Sequence, residues 1–244
     1  MKDFGKLSWF LGLEFKWKNN SVEMNQKRHI EKMLVKFNRM DCKPKTTPCD
    51  PGANKERETT AIELGDPRLY RVIVGSLIYI MTATRPDLCY IVTKLSQYMA
   101  KPTTTHLGMA KHTLRYIKGT AEQGLTFLKS CDPLQLVGFC DADWGSSADR
   151  RSITGYGFQL KDNGPLISWK SKKQTTVALS TCEAEYMAMA AAIQEGKFLR
   201  QLWRDMTGQC KGVTLMVDNQ GAIALAKNPV TQQRSKHIIS FHQK

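Results

Sequence analysis

Two short apolar runs each end in an acidic residue, Phe139-Cys140-Asp141 and Met216-Val217-Asp218. If the runs are adjacent parallel strands, both carboxylates stand at the same C-terminal sheet edge, where open α/β sheets place their sites. A third carboxylate is available from the start of the helical pattern at 181–206, as Glu183 or Glu185. Ser180-Thr-Cys-Glu183 has the form of a capping box, in which the serine bonds forward and the glutamate reaches back to the cap amide. That task occupies Glu183. Glu185 points about 200° further around the helix and has no capping role. Asp141, Glu185 and Asp218 therefore form the candidate cluster. Three carboxylates within reach of one another repel unless cations neutralise them, and oxygen-only ligands suit magnesium. Two such ions ~3.5–4 Å apart activate a water and stabilise the leaving oxygen of a phosphodiester. Strand-end aspartates also cap turns, and the residues alone leave that structural role open.

These carboxylates need a sheet and a helix to hold them. Short strands are predicted at 134–140, 155–160 and 166–170, with Asn163-Gly164 as a hairpin turn between the last two. A long helix from Thr181 to Met206, a strand at 213–217 and a short helix up to Asn228-Pro229 follow. This order gives a mixed sheet with helices packed on it. Upstream, the run 7–15 reads as a strand and Asn19-Asn20 as a turn. Ile30, Met33, Leu34 and Phe37 recur at helical spacing, and Arg28, Lys32, Lys36 and Arg39 form a second stripe on that helix. Residues 42–66, rich in proline and threonine, read as a linker or an extended crossing. Three helices are predicted between 67 and 120: one to Met81, one from Pro86, and one after Pro102 with a threonine cap. The last carries a stripe of Lys111, Arg115 and Lys118. Read alone, these stripes are solvated faces.

With 41% hydrophobic and 24% charged residues, the 244-residue chain is that of a globular protein. Its most apolar stretch, Val72–Met81, falls short of the ~20 residues a membrane helix needs. No secretory signal opens the sequence, so an intracellular protein, cytoplasmic or nuclear, is expected, without a membrane partner. Seven cysteines at irregular spacing, with no Cys-x-x-Cys pair, are expected as reduced structural thiols. The net charge of +14 is spread along the chain rather than held in a tail. Residues 1–60 hold 13 basic against 8 acidic groups, 61–130 hold 9 against 4, and 131–244 hold 14 against 10. A basic surface of that extent suits a polyanion.

Five segments, in this order, carry a resemblance: Asp141-Ala-Asp-Trp144, Arg151-Ser-Ile-Thr-Gly155-Tyr, Ser168-Trp-Lys-Ser-Lys-Lys173-Gln, Ala178-Leu-Ser-Thr-Cys-Glu-Ala-Glu185-Tyr and Asp218-Asn-Gln-Gly-Ala-Ile-Ala-Leu-Ala-Lys-Asn228-Pro. Their order and spacing resemble the ribonuclease H domain of copia-type retrotransposon Pol polyproteins. Phe10-Leu-Gly-Leu-Glu14 is similar to the primer-gripping end of the reverse-transcriptase palm, and Val74-Gly-Ser-Leu-Ile-Tyr79 and Thr84-Arg-Pro-Asp87 to the connection region. The resemblance implies a ribonuclease H-like mixed sheet with flanking helices, α/β in class and α+β overall, preceded by a small helical thumb and connection region. It divides the chain into 1–50 (end of the palm and thumb-like helix), 51–128 (a mainly helical connection) and 129–244 (the ribonuclease H-like domain, incomplete at its C-terminus). It implies a nuclease with two magnesium ions that cuts the RNA strand of an RNA–DNA hybrid, with Asp141, Glu185 and Asp218 as ligands and catalytic residues, and Asp143 in a less critical place. Arg28, Lys32 and Lys36 would then track a duplex backbone, as would Lys111, Arg115 and Lys118. Arg150, Arg151, Lys170, Lys172 and Lys173 would hold phosphates beside the carboxylates without reading bases.

The sequence also departs from the family. It contains no Tyr-x-Asp-Asp, which excludes DNA synthesis by this chain. Where the family continues with an aspartate after Lys236-His237-Ile238, this chain has Ile239 and ends at Lys244. A truncated domain would lack a fourth acidic ligand, leave the second ion site incomplete and expose the strand around Leu215 as an edge open to self-association. Weak or absent cleavage by the isolated chain, a non-catalytic nucleic-acid binder and an inert remnant of a decayed retroelement all remain open from sequence.

Overall fold

The run from Leu7 to Phe15 is broken at Leu11-Gly12, whose φ angles are 48° and 77°. Positive φ at both central residues is what a two-residue hairpin turn demands. The single expected strand is therefore two, β1 (Trp9–Phe10) and β2 (Leu13–Lys18), with Phe10 opposite Leu13. The Tyr79 hydroxyl donates to the Leu11 carbonyl at 2.7 Å and lies where a side chain on residue 12 would have to go. The computed structural model describes residues 5–50, 62–130, 134–147, 149–161, 164–209 and 212–227. These form two units, Met1–Lys129 and Ser130–Lys244. Among the described residues they hold two four-stranded sheets and six α-helices, a mixed α/β class. No helix among the described residues is long and apolar enough to cross a membrane.

In the first unit, β2 turns at Asn19-Asn20 into β3 (Ser21–Asn25), and β4 (Leu125–Leu128) returns from far along the chain to pair antiparallel with β3. Three strands of this antiparallel sheet lie within 1–50, where one strand and a helix were expected, and the fourth closes the 51–128 segment. Neither β3 nor this long-range pairing was foreseen. The helices α1 (Lys27–Lys36), α2 (Arg68–Ala83), α3 (Cys89–Ser96) and α4 (Thr104–Gly119) share one core that includes Ile30, Tyr70, Leu77, Leu95 and Leu114. The helix expected from Pro86 begins as a 3-10 turn, Pro86–Leu88. Thr103 caps α4 in a reciprocal box with His106 in place of an acidic residue. Arg85 is buried and donates to both Asp87 oxygens and to the Thr120 carbonyl and hydroxyl, which ties the end of α4 to the α2–α3 corner. Burial pushes the Asp87 pKa up, but the hydrogen bonds and charge of Arg85, together with the Tyr116 hydroxyl, hold the carboxyl below its usual range.

The proline- and threonine-rich segment is an extended crossing where it is described. Residues 42–48 lie along α4 as a strap: Lys118 donates to the Cys42 carbonyl, Arg115 to that of Lys43, and Thr113 to that of Pro48. His112 Nε2 lies 3.0 Å from the Thr47 carbonyl. Residues 51–61 of the predicted linker fall outside the described residues, as do Asn163 of the predicted hairpin turn and everything from Asn228 on, including Ile239.

The second unit is built on the sheet order β7-β6-β5-β8, from β5 (Leu136–Asp143), β6 (Ile153–Gln159), β7 (Leu166–Lys173) and β8 (Val213–Met216). The first three are antiparallel neighbours, and β8 joins β5 in parallel. Among the described residues β8 is an edge strand. Helix α5 (Thr181–Thr207) covers the sheet, and α6 (Gln220–Lys227) follows β8. The buried stripe of α5 is mostly small: Ala184, Ala188, Ala192 and Gly196. Phe158 on β6 is fully buried, and its ring fills the space above Gly138 on β5 and beneath Gly196. A Cβ at 196 would come within 3.3 Å of that ring.

We expect Phe158→Ala to lower the stability of the second unit by about 3–5 kcal/mol, read from urea unfolding. Loss of under 1 kcal/mol would show that Phe158 does not set the helix–sheet distance.

Candidate metal centre and its basic surround

Parallel pairing explains why two acidic residues far apart in sequence meet. Phe139 is in register with Met216, so two residues further on Asp141, still within β5, and Asp218, just past β8, stand at the same level. Glu185, buried near the start of α5, reaches them from the helix. Oxygens of Asp141, Glu185 and Asp218 all lie within 4.8 Å of one another, with Glu185 buried and both aspartates exposed. Asp143, at the exposed end of β5, is not part of this group.

Local capping is done by other residues, which leaves the three carboxylates without capping tasks. Asn219 Oδ1 accepts from the Ala222 amide at 2.9 Å and caps α6, so Asp218 beside it does not. Ser180 accepts from the Glu183 amide at 3.1 Å, as expected. The Glu183 carboxylate accepts from the Leu179 amide at 2.8 Å, one residue outside the cap amide that the sequence suggested.

The electrostatics follow from the crowding. Burial first, and then Asp141 and Asp218, push the Glu185 pKa up to about 7 against the Ala142 amide, which donates to the carboxylate and lowers it. One Glu185 oxygen, Oε2, is buried and receives no hydrogen bond. Burial, then Glu185, Asp141 and Asp218, push the Cys140 thiol up to about 12. A negative cluster of hard oxygen donors with one orphaned oxygen fits a divalent cation of the magnesium type.

Sequence reading did not single out Gln174. Its side chain is buried where β7 ends, and its amide donates to Thr154 Oγ1 on β6 at 3.1 Å and to the Ala184 carbonyl on α5 at 3.0 Å. It thereby fixes the turn of α5 that carries Glu185. The only hint in the sequence was a polar residue closing a strand. Trp144 adds a second tie, its indole donating to the Ala178 carbonyl at 3.2 Å.

The predicted basic residues separate into groups. Arg151 and Lys173 pair with Asp149, which Lys173 bonds at 2.9 Å, and that hydrogen bond chiefly holds Asp149 below the usual carboxylate range; Arg150, at φ 59°, is exposed beside them in the chain. Lys170 and Lys172 project from β7 into solvent. In the first unit, Arg28 stacks over the exposed Trp9 ring at 5.3 Å, Lys36 lies 5.7 Å from the Phe37 ring, and Lys32 is exposed. Arg115 and Lys118 are engaged with the strap, and Lys111 is half-buried on the same helix.

No family model matches the chain. Over 245 residues, 99% of its length, it is 40% identical to the retrovirus-related Pol polyprotein from transposon RE1 of Arabidopsis thaliana, of which it spans 16%. It is 36% identical over 251 residues to the corresponding polyprotein from transposon TNT 1-94 of Nicotiana tabacum, of which it spans 19%. An uncharacterized mitochondrial protein of Arabidopsis thaliana is 39% identical over 196 residues, which cover 80% of this chain and 79% of that protein.

The raised Glu185 pKa predicts a pH signature in the metal-free protein. Below about pH 4.5 the carboxyl is protonated in both folded and unfolded states and costs nothing. Between 4.5 and 7 the unfolded chain releases this proton first, so folding stability falls as pH rises, and the full cost stands above 7. Glu185→Gln should therefore stabilise the metal-free protein at pH 8, by about 1–2 kcal/mol after solvent screening through the open side of the site, and leave it unchanged at pH 4. Magnesium should stabilise the parent but not the variant. Equal destabilisation by Glu185→Gln at both pH values would mark the carboxyl as structural.

Proposed function

The chain belongs to the copia-type retrotransposon Pol polyproteins, and we propose that it is the segment of such a polyprotein that hydrolyses the RNA strand of RNA–DNA hybrids. The observation that carries this reading is the convergence of Asp141, Glu185 and Asp218 at one sheet edge. A mixed sheet whose last strand pairs in parallel with its first, with a long helix over it, is consistent with a ribonuclease H-like fold. The chain spans 16–19% of the Pol polyproteins it matches, and their remaining activities are not assigned to it.

Asp141, Glu185 and Asp218 would hold magnesium, which when bound supplies charge neutralisation for the scissile phosphate and a more acidic water. The chain's own contribution is position. The β5–β8 register fixes the separation of the two aspartates, and the Ala142 amide with the Gln174 bridge fixes Glu185 in depth. The exposed side of Asp141 and Asp218 leaves room for a backbone phosphate, and Glu185 closes the inner side against water. The basic groups around Asp149 and on β7 would hold flanking phosphates, and the A-like shape and 2′-hydroxyls of the RNA strand would select a hybrid. In the first unit, the exposed Trp9 with Arg28 stacked on it offers an aromatic and cationic surface suited to the same ligand.

RNA-strand release from a labelled hybrid in magnesium tests the reading. Cleavage should fall about 100-fold or more in Asp141→Asn or Asp218→Asn, since small misplacements at such a site carry that cost. Glu183→Gln, which keeps a capping oxygen, should retain it. Cleavage that survives both aspartate changes, or a parent chain with neither cleavage nor magnesium binding, would sink the proposal.

A further inference from the structure

The sheet of the first unit has one face without charge. Along β2, Leu13, Phe15 and Trp17 stand on one side, and Glu14, Lys16 and Lys18 on the other. Register carries this alternation across the sheet. Phe15 pairs with Met24 and Met24 with Leu125, while Trp17 pairs with Val22 and Val22 with Phe127. Phe10 of β1 lies opposite Leu13 on the same side. The other face carries Glu14, Lys16, Lys18 and Glu23, and Trp9, which pairs with Glu14 and has Arg28 stacked on it. Strands that alternate in this way bury their apolar side. Among the described residues little covers it. Leu125 is buried, but Trp17 is 47% exposed, Phe10 is 52% exposed, and the rest are half-buried. The core that the four helices share includes none of the eight.

The chemistry of the face points to its occupant. It offers no charge, and the one polar side-chain group on it, the Trp17 indole, is already spent on the Leu7 carbonyl at 2.6 Å. Such a face complements a surface of its own kind, and a second copy of the chain brings one. We propose that this face is the interface of a homodimer, in which two copies pack sheet on sheet about a two-fold axis. The inference goes beyond the hydrolytic reading and does not rest on it. Half of the ~200 Å² of an aromatic side chain, on each of Phe10, Phe15, Trp17 and Phe127, comes with the aliphatic neighbours to about 600 Å² per copy. Two copies then bury ~1,200 Å², the lower bound of a stable interface. Charge favours the same pairing. At +14, two copies repel wherever charged surfaces meet, and an uncharged face is where they can approach. The Trp9–Arg28 side stays outward in both copies.

The test is sedimentation equilibrium of residues 1–244, freed of nucleic acid, over a range of concentration and salt. An interface of this size should give a monomer–dimer equilibrium with a Kd on the order of 10 µM. Raising the salt from about 0.1 to 1 M should tighten it, since the screening length falls from ~10 to ~3 Å and the repulsion between copies fades. Phe10→Glu/Trp17→Glu should weaken the dimer about 100-fold or more, because each copy then buries unpaired charge. Both side chains are about half exposed, so the unfolding midpoint should hold; should the double variant fail to fold, Phe10→Glu alone makes the same test. Phe10→Leu/Trp17→Phe should keep the dimer. A dimer that survives the glutamate changes lies elsewhere, as at the β8 edge, and overturns the proposal. So does a dimer that salt dissociates, which charge would then be holding. A chain that stays monomeric well above that Kd overturns it too; if that monomer binds neutral phosphatidylcholine vesicles and the glutamate variant does not, the face meets lipid instead.

Discussion

A carboxylate on a helix can meet two others on a sheet only if the helix lies close enough, and in the second unit Phe158 sets that distance. Its ring fills the hollow over Gly138, and α5 rests on it through Gly196 and a line of alanines. Larger residues on either side would lift the helix by an ångström or more, and Glu185 would rise with it. The close approach has an electrostatic cost, because it places a third acid in a partly dehydrated pocket beside two others. That cost is visible in the raised pKa values of Glu185 and Cys140. Stability and readiness for a cation are therefore set by the same packing contact, in opposite directions.

The first unit solves a different problem by different means. Its helices share a conventional apolar core, but the corner between α2 and α3 is closed by buried polar groups. Arg85 donates four hydrogen bonds from an almost fully buried position, to Asp87 and to Thr120. Such a fork holds direction as well as distance, since a guanidinium is planar and a carboxylate matches it on two sides. The corner between α2 and α3 and the end of α4 consequently behave as one joint.

Much of this architecture was legible in the residues. Apolar spacing gave the helices of both units to within a few positions, and the acidic strand ends with the serine cap selected the three carboxylates that converge. Legibility failed where the determinant was not local. Nothing near Ser21–Asn25 announces that its partner is Leu125–Leu128, because the four helices of the unit lie between the two strands in sequence. Leu11 at positive φ was unreadable for a related reason: leucine does not favour that region, and Tyr79, remote in sequence, supports the turn. Gln174 is ordinary as a residue type, and its importance comes from standing between a strand and a helix that only the fold brings together. Basic stripes were the least informative. The same spacing produced exposed side chains on α1 and strap-holding ones on α4.

The strap over α4 has a consequence for how this chain tolerates change. Arg115, Lys118 and Thr113 grip the strap by its peptide carbonyls, which every amino acid supplies. Most strap side chains are therefore free to drift under mutation while the path of the strap stays fixed, and the burden of constancy falls on α4. Pro44 is the exception, since Gly119 leaves it no slack: a Cβ there would lie 2.9 Å from the proline ring. A segment that looks like low-complexity linker is thus permissive in letters and strict in trajectory, with the information that holds it written some seventy residues away.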